Sequence, residues 1–204
     1  MSVRIAVIDS GVHAAHPHVN GVVGGVAILP DGREEPDYTD RIGHGTAVAA
    51  AIREKAPRAE VYAVKIFHES LSARIGPLVQ AIEWGLVHRM DMINLSLGTS
   101  NPEHEEILRG WVARALTQQC RIVAAGEDAG VRWLPGAIPG VIAVELDNEC
   151  PRGEYRTRTD ANGRVIYRAC GFPRPIPGVP PERNLKGLSF AVANVTGLLA
   201  AAGQ

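Results

Sequence analysis

Three side chains in this sequence have the types and settings that nucleophilic catalysis requires. Asp9 ends the apolar run VRIAVI, His44 stands in GHGT ahead of an alanine-rich stretch, and Ser189 stands in GLSFA ahead of the last apolar segment. A hydroxyl is a weak nucleophile at neutral pH until a base takes its proton, and an imidazole base needs a carboxylate to fix its tautomer and steady its charge. These three residues supply those parts, each with a glycine within two residues. Singly, each has a plain structural role: Asp9 in an Asx turn, Ser189 as a helix N-cap, His44 as a polar residue at a helix start. It is their combination that points to chemistry.

The elements that must position them follow from hydrophobic periodicity. Short β-branched runs predict strands over 3–8, 61–66, 92–97, 121–125 and 141–146. Segments of helical period lie between and after them. One opens near His44 and runs through TAVAAAIREKA, and a second covers 75–89 with Leu78, Val79, Ile82 and Leu86 on one face. A third, PEHEEILRGWVARALTQQ, carries acids in its first turn and arginines later, as the helix dipole favours. The fourth is LSFAVANVTGLLAAA. This alternation predicts an α/β fold of three layers, a parallel sheet with helices on both faces, in a single domain over 1–204. Residues 148–184, rich in Gly, Pro and Arg, predict a surface excursion with a hairpin turn at ANG. Open α/β sheets build their sites at the carboxyl ends of strands, which is where Asp9 sits.

Four segments in order, IAVIDSGV followed by HP, then GHGTAVA, INLSLG and GLSFAVANVTG, resemble the successive signature motifs of the subtilisin family of serine proteases. The likeness runs from Val3 to about Leu199, and Asp, His, Ser is that family's chain order. The resemblance implies a subtilisin-like fold and hydrolysis of peptide bonds through an acyl-enzyme. Ser189 would be the nucleophile, His44 the general base and then general acid, and Asp9 the orienting carboxylate. Ser96, Leu97 and Gly98 would pair with an extended substrate as an added β-strand; an ordinary strand end would account for the same residues. An esterase or acyl-transfer enzyme with the same triad, or a peptide-binding module without turnover, would share these features.

The segment IVAAGEDAG resembles the loop that carries the family's oxyanion-stabilising asparagine, and it places Glu127 there. An ionised glutamate has no proton to donate and would repel an oxyanion, so Glu127 should serve only if protonated or turned away. Burial would favour the protonated form, and Glu127→Asn would then raise turnover. A solvent-facing Glu127 would leave the oxyanion to the Ser189 N–H. Leu188 and Ala193 also depart from the family, which commonly has threonine and proline at these positions.

Composition limits the partners. A net charge of −1, from 21 basic and 22 acidic residues, gives no basic excess for nucleic acid or an anionic membrane, and a peptide or protein substrate fits better. No apolar run approaches the ~20 residues that cross a bilayer. MSVRIAVIDSG runs straight into a strand pattern without a secretory leader, and no propeptide is recognisable. Cys120, Cys150 and Cys170 are odd in number and lack metal-ligand spacing. These features lead us to expect a cytoplasmic enzyme that matures one particular peptide or protein; its oligomeric state is left open. His13, His16 and His18 could ligate a metal, but His16-Pro17 belongs to the family turn, so no cofactor is expected and calcium is left open. Arg152, Arg156, Arg158, Arg164 and Arg168 could recognise an acidic substrate or form a solvated hairpin face. Cys150 and Cys170 flank that stretch, and a disulfide between them is disfavoured in a reducing compartment.

Overall fold

Strands that are apolar on both sides of the pleat must be covered on both faces, and the central runs of this chain fold in that way. The computed structural model describes residues 2–203. Its strands are β1 (Arg4–Asp9), β2 (Gly24–Ile28), β3 (Glu34–Glu35), β4 (Glu60–Lys65), β5 (Met92–Leu95), β6 (Arg121–Ala125), β7 (Glu127–Asp128), β8 (Val131–Arg132), β9 (Ile142–Leu146), β10 (Arg156–Thr159) and β11 (Val165–Ala169). Among the described residues, nine of them form one sheet in the order β10-β11-β9-β6-β5-β1-β4-β2-β3, while β7 and β8 make a separate hairpin. Pairing is parallel from β11 through β2, and β10 and β3 close the edges antiparallel.

The period of two along each strand divides the core into two layers. Ile5, Val7, Val61, Ala63, Met92 and Val123 pack under α1 (His44–Lys55) and α4 (Leu188–Ala202). Ala6, Ile8, Val64, Ile93, Leu95 and Ile122 face α2 (Ile75–Val87) and α3 (Glu105–Thr117). The expected three layers are therefore present. The two helices α1 and α4 press close together: a Cβ at Gly197 would lie 3.0 Å from the Ile52 carbonyl oxygen and 2.8 Å from Lys55 Cβ.

The structure departs from the sequence reading in three places. Strand β2 was not expected, because Gly24-Gly25 weakens a strand signal. Yet a Cβ on Gly25 would lie 2.0 Å from the Ala63 carbonyl oxygen of β4, so the glycine is what lets the strands approach. Strand β5 stops at Leu95, leaving Ser96 and Leu97 outside the ladder. The stretch 148–184 does contain the expected hairpin, but it is not a mere surface excursion, since β11 joins the main sheet beside β9.

Strand β1 has β4 on one side and β5 on the other, so successive strands change direction across it. Such a switch point opens a crevice at the carboxyl ends of the strands. Asp9 ends β1 there, and Ser96 follows β5 beside it.

Candidate active site

Asp9 is fully buried, and its Oδ1 accepts the Ser10 N–H at 2.7 Å. His44, the first residue of α1, places Nδ1 2.8 Å from Asp9 Oδ1 and 3.0 Å from Oδ2. With Nδ1–H donated to that carboxylate, Nε2 is left as the basic nitrogen. The approach needs a glycine: a Cβ at Gly45 would lie 2.2 Å from the Gly11 carbonyl oxygen and 3.2 Å from Asp9 Oδ1. Burial opposes charge on the His44 ring, but its hydrogen bond to Asp9 and the charges of Asp9 and Asp40 outweigh it and raise its pKa above the ordinary histidine value.

Asp40 is a functional residue that sequence reasoning missed. Helix α1 has a glycine, Gly43, at its N-cap and so lacks a side-chain cap there. Asp40 takes over that role from four residues ahead of His44. Its Oδ1 accepts the N–H groups of Ile42 (2.9 Å) and Gly43 (2.8 Å) and the Ser10 hydroxyl (2.9 Å). Its Oδ2 accepts the Thr46 N–H at 2.8 Å and the Thr46 hydroxyl at 2.6 Å. Burial would raise the Asp40 pKa, but these hydrogen bonds prevail and hold it below the usual carboxylate value. The readable signal was a helix start with glycine in the capping position and an unassigned aspartate just upstream.

Ser189 is the second residue of α4. Its hydroxyl donates to the Ser96 carbonyl at 3.0 Å, while the Ser96 hydroxyl donates to the Ser189 carbonyl at 2.9 Å. Asn94 Nδ2 donates to Ser96 Oγ at 2.9 Å, and the Thr196 hydroxyl lies 2.9 Å from Asn94 Oδ1. This buried network, also missed in the sequence, ties the start of α4 to the end of β5. A hydroxyl has one proton, so proton transfer to His44 requires Ser189 to turn from Ser96. Catalytic hydrogen bonds commonly tighten only when substrate is bound.

His44 and Ser189 line one cavity of about 390 Å³, and Ser96, Leu97 and Gly98 line it with them. His44 and Ser189 therefore share one cavity with the expected substrate-binding segment, and Asp9 lies behind His44. Leu71, Leu78, Trp133 and Leu188 supply apolar walls, and Arg74, His104 and Asp128 polar ones. Glu127 is not on this lining. It is exposed on β7, paired with Arg132 of β8, so the burial considered for it from the sequence is absent. The first N–H groups of α4, including that of Ser189, have no intrahelical acceptor, and the positive end of the helix dipole lies there.

The remaining expectations are resolved less centrally. His16 Nδ1 accepts the His18 N–H at 3.2 Å, and the two rings meet edge to face. Among the described residues no three His, Cys, Asp or Glu side chains gather as a metal set. The arginines of 152–168 are engaged within the chain: Arg152 with Glu54, Arg156 and Arg168 with Asp147, and Arg158 with Glu145. Arg164 donates to the carbonyls of Gly136 and Val141. Recognition of an acidic substrate by this stretch is thereby set aside in favour of a hairpin braced by its own ion pairs. Cys150 and Cys170 are both free and buried, as is Cys120, whose thiol is pushed up to about 12 by burial.

The model of the subtilase family matches residues 1–171, ending ahead of Ser189. Alignments with individual relatives continue further. The chain is 30% identical to subtilisin E of Bacillus subtilis over 97% of its own length and 52% of the relative's. It is 30% identical to a subtilisin of Bacillus pumilus, again over 97% of this chain and 72% of the relative. It is 36% identical to the minor extracellular protease Epr of Bacillus subtilis over 72% of this chain and 24% of the relative. Thus the chain spans about half the length of subtilisin E.

Proposed function

Because the chain belongs to the subtilase family, we propose that it hydrolyses peptide bonds through an acyl-enzyme on Ser189. The observation that carries this reading is the Asp9–His44 pair, at 2.8 and 3.0 Å, with His44 opening on the cavity that holds Ser189. Ser189 Oγ turns from the Ser96 carbonyl towards His44 Nε2, gives up its proton and attacks the substrate carbonyl carbon. Asp9 stabilises the imidazolium that results. The Ser189 N–H donates to the oxyanion, and Glu127, turned to solvent, does not oppose it. His44 then protonates the leaving amine, and water repeats the sequence on the acyl-enzyme to free the carboxylate and Ser189.

The substrate half that supplies the acyl group lies extended along Ser96–Gly98. Selective maturation of one peptide or protein, rather than bulk digestion, is part of the proposal; it rests on the hazard that an unselective protease poses to its own compartment. We place that compartment in the cytoplasm, a reading that three buried thiols support. Digestion of an unfolded protein such as reduced casein, followed by mass spectrometry, tests the reaction. New internal termini that appear with the wild type and not with Ser189→Ala support it. Ester hydrolysis without peptide cleavage would make it an esterase, and retained peptide binding without turnover would make it a binding module.

A further inference from the structure

A second cavity, about 880 Å³ in volume, lies on the other side of the His44 turn. Gly43 and Thr46, which flank His44, form part of its wall, as do Asn184 and Leu185 ahead of α4. Its lining carries six basic side chains, Arg41, Arg174, Arg183, His13, His16 and His18, and one carboxylate, Asp40. That carboxylate is already occupied by five donors. Among the described residues no carboxylate stands within ion-pair distance of Arg174 or Arg183. Arg174 donates only to the His18 carbonyl, at 3.0 Å. Arg41 meets Asp37 at 3.3 Å, but both side chains are more than half exposed and such a pair holds weakly. Glu182 adjoins Arg183 yet is exposed and does not line the cavity. In a chain of net charge −1, this concentration of positive charge is local.

We propose that this cavity binds carboxylate side chains on the leaving-amine side of the scissile bond, so that the enzyme prefers substrates acidic beyond the cut. The inference rests on the peptidase reading above. A strand whose acyl half lies beside Ser96–Gly98 must pass Ser189 and His44 and continue over Gly43 and Leu185, towards this wall. Burial and the charge of Arg174 make His18 less basic than an ordinary histidine, and the guanidiniums of Arg41, Arg174 and Arg183 supply permanent positive charge. Guanidinium forks suit carboxylates, and complementary charge selects among partners.

The test uses two quenched fluorescent peptides with the same Ala-Ala-Leu acyl half, one bearing Glu-Glu and the other Gln-Gln at the second and third positions beyond it. The wild type is expected to favour the Glu peptide roughly tenfold in kcat/KM at low salt, from two or three rim ion pairs. The preference should shrink in about 0.5 M salt, where the screening length is only a few ångströms. Arg174→Gln/Arg183→Gln should bring it below about twofold, with folding checked by circular dichroism. If that pair fails to fold, Arg183→Gln alone, at an exposed position, should lower the preference about threefold. Equal kcat/KM for both peptides in the wild type, or a preference that survives these substitutions, overturns the inference. Fluorescence anisotropy with Ser189→Ala separates the two readings. If neither peptide is cleaved but the Glu peptide binds more tightly, the cavity assignment stands while the peptidase reading falls. If neither is cleaved and both bind equally, the cavity assignment falls too.

Discussion

The two regions flanking the candidate cavity are built in opposite ways. On one side, Asp9, Asp40 and His44 are locked by buried or half-buried hydrogen bonds, and glycines at 11 and 45 let helix and strand meet. On the other, Glu127 and Asp128 sit on an exposed two-residue strand whose partner is equally short and equally exposed. On the proposed mechanism the Asp9–His44 pair is fixed before substrate arrives and only Ser189 must turn, whereas the side where an oxyanion partner would be sought is open to solvent. Preorganised dipoles are worth most where water is excluded, so substitutions should matter far more on the first side than on the second.

The largest effects belong to the proton-transfer groups. Ser189→Ala and His44→Ala should each lower kcat by roughly 10⁶, a magnitude known from subtilisin itself. Thermal melting should move little, since neither side chain is a core apolar group.

Asp40 comes next. Asp40→Asn keeps one acceptor oxygen and puts an NH2 in place of the other, so two or three of the five donors lose their acceptor and the turn that aims His44 loosens, for which we expect a loss of about 10- to 100-fold in kcat. A positioning role also predicts a change that mere destabilisation would not cause. His44 must be neutral to act as base, and its raised pKa places the acidic limb of kcat/KM above 6.5 in the wild type. Removing the Asp40 charge lowers the imidazole pKa, so that limb should move to lower pH in Asp40→Asn. A limb that stays in place would show that Asp40 only caps the helix. The stability linkage has the matching sign: the contribution of the Asp9–His44 pair is complete below 6.5 and lost as pH rises through the raised folded value.

Glu127→Asn should change turnover by less than about threefold, because the side chain it replaces is exposed and off the cavity lining. A single inward oxyanion donor is worth roughly 10²–10³ in turnover, a magnitude known from subtilisin rather than derived for this chain. A rise of that size would mean that position 127 turns inwards with substrate bound, which would erase the contrast between the two sides. The smallest effect expected is that of EDTA. It should shift the melting temperature by less than about 2 °C, the scale of about 0.5–1 kcal/mol for a chain of this length. A larger loss, restored by calcium, would reveal a carbonyl-built site.

Asp9, His44 and Ser189 were legible as a candidate triad because they lie at the ends of strongly patterned elements: β1, α1 and α4 each follow from periodicity, and glycine marks each junction. What stayed hidden depends on pairing between distant segments. Asp40 looks like an ordinary loop aspartate until Thr46 and Ser10 are seen to converge on it. Asn94 and Thr196 sit within apolar runs and show their purpose only when β5 meets α4, 102 residues apart in sequence. Strand β2 escaped because two glycines serve close approach rather than propensity. The motif alignment put Glu127 in a functional position, but periodicity says nothing about which way a two-residue strand turns its side chains.

The contrast between a preset proton-transfer side and an open opposite side stands or falls on whether Ser189 is activated in the folded, unliganded protein. Incubation with a fluorophosphonate at neutral pH, followed by peptide mapping, measures that directly. The account predicts a single labelled site at Ser189, abolished in His44→Ala and slowed in Asp40→Asn. Labelling at another serine, or none in a sample shown to be folded, would contradict it.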